Sequence, residues 1–127
     1  MQEKDLFEYA VIRVVPRVER EEFMNVGVVV YCAKQKFLEV LIKLDPEKLN
    51  VFCRDLDIDV LEANLNAFKR ICAGGKHSGT IGQLDAPSRF RWLTATRSTV
   101  IQTSRAHAGF CIDAKQTLFK LYTEMVL

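Results

Sequence analysis

The chain has 127 residues, 49% hydrophobic and 27% charged, with a net charge of +2. That length fits one domain, residues 1–127, able to bury a core without staples. A balance so near neutral makes no global case for nucleic acid or a membrane surface, and the longest apolar run, Val26 to Ala33, is far too short to span a bilayer.

In chain order, Phe7 to Val15 reads as a strand with apolar residues on both faces, which predicts a central position in the sheet. Arg13 interrupts its Tyr9/Val11 face, and Pro16 stops it. Phe23 to Cys32 is a second strand, where Gly27 predicts a bulge or a close backbone approach. Phe37 to Leu44 is a third, and the short links predict an antiparallel meander. Asp45-Pro46 opens a helical turn. Asp57 to Cys72 is the strongest helix, with Ile58, Leu61, Leu65, Phe68 and Cys72 at three- and four-residue spacing, an Asp57 cap and a Gly74-Gly75 stop. Lys76 to Gly82 reads as a loop, Ser88 to Ala95 as a helical turn, and Ser98 to Thr103 as a strand with one polar face. Asp113 to Val126 is the last helix, capped by Asp113. The expected fold is α+β: a mainly antiparallel sheet of about four strands with two main helices packed on one face.

The polar N-terminus lacks a basic-then-apolar leader pattern. No two of the four cysteines, 32, 53, 72 and 111, are close enough for a zinc knuckle or a redox pair. Both features predict a cytoplasmic chain with reduced thiols, and nothing in the sequence calls for a metal or a cofactor.

Arg17 to Glu22 holds two arginines and three glutamates within six positions and leads to Asn25-Val26-Gly27. An arginine on an apolar strand face needs a carboxylate or an anionic ligand, because a buried unpaired charge is costly. Arg13 is therefore expected either to pair with the acids of this link or, with Arg20, to meet a substrate anion. Asn25 suits a strand start, where it satisfies backbone groups.

Charge is unevenly distributed. Residues 1–68 carry nine basic and thirteen acidic side chains, whereas residues 69–112 carry seven basic side chains against Asp85 alone. Arg89-Phe90-Arg91-Trp92 interleaves cations with aromatic rings, Arg97, Ser98 and Thr99 suit phosphate contacts, and Gln102 joins Arg97, Ser98 and His107 in the candidate ligand pocket. A nucleic-acid role rests on that one cluster, and the near-neutral total speaks against it.

The segments Tyr9 to Pro16, Arg20-x-Glu22 and Asn25 to Val29 resemble the opening of a bacterial family, the domain of unknown function numbered three thousand and thirty-seven. Arg70 to Gly74, Ile81-Gly82, Arg89-Phe90-x-Trp92-Leu93, Arg97 to Ser104 and His107-x-Gly109 resemble its second block. Arg105 departs from the proline expected after Ser104. The resemblance carries no activity. It implies a small cytoplasmic protein often encoded beside a kinase-like protein of the HipA type, and hence a protein partner.

Two functions compete at this level. One is a non-catalytic interaction or regulatory domain. The other is a small-molecule or phosphate-handling enzyme in which Arg13 and Arg97 hold an anion, Glu22 is a general base and His107 a general acid or base.

Overall fold

Apolar residues on both faces place strand β1 (Asp5–Val14) at the centre of the sheet. The computed structural model describes residues 3–95 and 99–127. β1 pairs antiparallel with β2 (Met24–Cys32), which pairs antiparallel with β3 (Phe37–Ile42). The β1–β2 link contains a single 3₁₀ turn, Val18–Arg20. The far edge of β1 is shared end to end by β4 (Ile101–Thr103) and β5 (His107–Cys111), both antiparallel to it. The expected α+β class and antiparallel meander are therefore present. β5 adds a strand the sequence did not announce. Ala108 and Gly109 have little strand propensity, and the segment forms because β1 needs a neighbour there.

A bulge joins β4 to β5. From Thr103 to His107 the chain takes four steps, while β1 takes three, from Ile12 to Tyr9. Ser104 patches the break. Its N–H donates to the Val11 carbonyl at 2.8 Å. Its Oγ accepts from the Val11 N–H at 2.9 Å and donates to the Arg105 carbonyl at 2.9 Å.

The helices are α1 (Pro46–Phe52), α2 (Ile58–Ala73), α3 (Gly79–Gly82), α4 (Ala86–Leu93) and α5 (Ala114–Met125). Asp45, Asp57, Asp85 and Asp113 accept hydrogen bonds from first-turn N–H groups of α1, α2, α4 and α5, respectively. Gly74, with φ of 74°, ends α2 as its glycine pair predicts. The expected 76–82 loop contains the short α3. The expected Ser98–Thr103 strand begins only at Ile101, and Ser98 is outside the described residues.

The two long helices do not share a face. Leu61, Leu65, Phe68 and Cys72 of α2, with Phe90 and Leu93 of α4, bury against Ala10, Ile12, Val14 and Val29. Ala114 and Leu118 of α5 bury against Phe7, Val28, Val30 and Cys32 on the opposite side. Both faces of β1 and β2 are apolar, so the sheet needs cover on each side, and the single apolar stripe of each helix supplies one. The result is a three-layer arrangement. Among the described residues no helix is long and apolar enough to cross a membrane.

Candidate functional site

Strand pairing brings three of the sequence-predicted residues into one row. Asn25 of β2 and Gln102 of β4 lie directly opposite Arg13 of β1 on either side. Directly paired residues project from the same side of a sheet, so the three share the α5 face. A bulge on β2 sets this register, because Ile12 faces Gly27 while Arg13 faces Asn25. The glycine is also a close approach. A Cβ at position 27 would lie 2.7 Å from the Leu41 carbonyl and 2.9 Å from Ile42, so both expectations for Gly27 hold together.

Arg13 does not find the acid expected for it. Among the described residues it forms no ion pair. Its guanidinium lies over the Phe23 ring, 4.0 Å from the centroid. A cation–π contact at a half-exposed site replaces the carboxylate. The acids are held elsewhere. Glu19, Glu21 and Glu22 are exposed, Glu22 pairs with Arg20 at 2.7 Å, and Glu21 sits in the left-handed region at φ 56°. Two buried atoms of the row lack a hydrogen-bond partner, Arg13 Nε and Asn25 Oδ1. The Asn25 amide donates to the Met125 carbonyl at 3.1 Å, and the Gln102 amide donates to Thr99 at 2.8 Å.

His107 stands apart from this row. It faces Tyr9, with ring centroids 5.3 Å apart. Tyr9 precedes Arg13 by four residues, about 13 Å along a strand. Glu22 belongs to the exposed link beyond the other end of β1. Arg97 and Ser98 lie outside the described residues.

A second feature, which sequence reasoning missed, runs along α2. A cleft of about 660 Å³ lies between the start of α2, the α1–α2 link and the end of β1, with Val60, Leu61 and Val100 on its apolar side and Arg17, Asp55 and Asp57 among its polar residues. It shares Pro16, Arg17, Cys53 and Asp55 with a cavity of about 220 Å³ that reaches Arg20, Glu22 and Arg54. At its other end it shares Asn64 and Thr99 with a cavity of about 310 Å³ reaching Ile71 and Trp92. Arg17 and Asp55 bridge the link regions at 4.0 Å. The groove follows α2 from Asp57 to Ile71, about 20 Å at helical rise. Val60 is 52% exposed and Val100 38%. The sequence did carry a signal for it. Val60 stands among Asp57, Asp59 and Glu62, off the buried stripe of its helix.

Cys53 lines the groove and is half-buried, whereas Cys32, Cys72 and Cys111 are buried. Burial pushes the Cys72 thiol from its ordinary 9.0 up to about 12. Among the described residues no cluster of three His, Cys, Asp or Glu side chains is placed to hold a metal ion.

No curated protein and no solved structure matches the chain. A family model does match, over residues 9–126, nearly the whole length. With the strand row, the Gly27 approach and the Gly74 stop all inside that span, the chain belongs to the family described as Protein of unknown function (DUF3037).

Proposed function

We propose that this protein is a non-catalytic interaction domain that holds an extended segment of a protein partner in the groove along α2. The observation that carries this reading is the apolar wall of that groove, left open beside Val60 and Val100 and rimmed by charges of both signs. An apolar strip with a polar rim suits a peptide segment better than a small polar substrate. The separation of Glu22 from His107 supports the same reading, since general acid–base work needs both within reach of one reacting atom. The partner is the kinase-like protein of the HipA type that the family resemblance suggests. Four unpaired thiols suit a reducing cytoplasm.

Co-expression with that kinase-like protein, followed by affinity purification, tests the proposal. The two proteins are expected to co-purify in equal amounts. Val60→Asp should weaken the complex about tenfold, because it forfeits roughly 1.5 kcal/mol of apolar burial. A bulky maleimide on Cys53 should block it. A complex indifferent to both changes would rule the groove out.

A second reading is favoured by the unpartnered Arg13 Nε beside Gln102: a small anion held on the α5 face. Calorimetric titration with inorganic phosphate tests it. Binding that vanishes in Arg13→Met supports this reading, and no heat of binding in the wild type removes it.

A further inference from the structure

We infer that the protein forms a symmetric dimer through the free edge of β5, by antiparallel pairing with β5 of a second copy. Among the described residues the only strand that β5 pairs with is β1. The edge lacks the proline and the formal charge that usually block strand addition, and the bulge that joins it to β4 lies at its start. His107 to Cys111 contains no proline, lysine or other formally charged residue. Phe110 is 69% exposed, and its cross-strand neighbour Leu6 is 55% exposed.

The direction of the free backbone groups follows from hydrogen bonds at the other end of β1. The Ser104 N–H donates to Val11, and the Val15 N–H donates to Val100. The odd residues of β1 thus direct their main-chain groups toward the β4/β5 side. The Leu6 carbonyl faces the other way, where the Cys32 thiol donates to it. His107, Gly109 and Cys111 face Tyr9, Phe7 and Asp5 and spend their backbone groups on β1. Ala108 and Phe110 therefore direct their N–H and C=O groups outward.

These groups are self-complementary about Gly109. A two-fold axis there sets Ala108 opposite Phe110 of the second copy, so both outward donors and both outward acceptors are satisfied. The small Ala108 side chain leaves room for the Phe110 ring of the other copy on the same face. The ends of the segment select this register. Arg105 and Asp113 each lie four residues from Gly109, two beyond either end of β5, and are exposed, so this register brings each arginine to the end of the interface that holds the other copy's aspartate. The Asp113 cap of α5 uses Oδ1 alone, which leaves Oδ2 for that guanidinium. Moving the axis to Ala108 or Phe110 keeps the backbone phase but loses the charge match. A second copy is the occupant that this charge pattern fits: neutral between, with opposite signs at the two ends. The axis lies beside the start of β1, away from the α2 groove, so dimerisation and partner binding are separable.

Sedimentation analysis from about 5 to 500 μM tests the inference, a range suited to an interface at the small end of specific contacts. The mass is expected to double with concentration. The Ala108 and Phe110 amides should exchange with solvent in dilute solution and become protected in the dimer. Ala108→Pro removes only an outward N–H, and Arg105→Asp sets like charges opposite each other. Each should weaken the dimer at least tenfold. A monomer throughout the range overturns the inference. So does a dimer in which those two amides exchange freely, a readout that needs no variant.

Discussion

Arg13 is held by an aromatic face where its sequence setting predicts an acid, and this changes what its loss should do. Removing one member of a buried ion pair would cost several kcal/mol. Losing a partly exposed cation–π contact costs about 0.5–1 kcal/mol. Arg13→Ala is therefore expected to lower the urea midpoint slightly, and Phe23→Leu to do the same without adding to it. Ser104 is the more vulnerable residue, though nothing about it stands out in the sequence. It is 6% exposed and supplies the acceptor for the Val11 N–H. Ser104→Ala leaves that buried donor unpaired and should cost about 1–3 kcal/mol, read as a lower denaturation midpoint. Cys72 gives a signature at high pH. Its thiol stays neutral in the fold toward about 12, while the unfolded thiol ionises near 9.0. Its contribution is fully present below pH 9 and is lost as pH rises toward 12, at about 1.4 kcal/mol per pH unit. The difference in unfolding free energy between wild type and Cys72→Ala should narrow across that window, and a constant difference would contradict it.

At the scale of elements, Gly27 makes the clearest prediction. The Leu41 carbonyl that blocks a side chain there is backbone, and it cannot move without breaking the β2–β3 pairing. Gly27→Ala should destabilise by about 1–3 kcal/mol, measurable by thermal or urea unfolding. The strands and helices that were legible in the sequence share one property: their pattern is local. α2 and α5 declare themselves through three- and four-residue spacing and an aspartate cap, and β1 through apolar residues on both faces. What was illegible depends on distant neighbours. A helical stripe says that it will be buried but not on which side of a sheet, so the opposite placement of α2 and α5 does not follow from either helix alone. β5 carries Ala108 and Gly109 where strand formers would be expected, and Gly109 accommodates the Phe7 ring, whose edge would lie 2.9 Å from a Cβ there. For the candidate site, the Asn25–Arg13–Gln102 row joined residues that the sequence had singled out in separate segments, and strand register alone brought them together. The α2 groove was foreshadowed only by one misplaced valine.

At the scale of the whole molecule, β1 is the strand on which the other layers depend. One of its edges pairs with a strand that follows it closely, and the other with strands about ninety to a hundred residues later in the chain. During synthesis the apolar β1–β2–β3 ribbon emerges long before the segment that closes its open side. At about 5–20 residues per second, the roughly sixty residues between β3 and β4 take some 3–12 s to appear. For that interval the nascent ribbon shows water an unprotected margin, and the greasy surface that α5 covers stays bare longer still. Expression yield should accordingly depend on chaperone capacity more than the equilibrium stability of the finished protein would suggest.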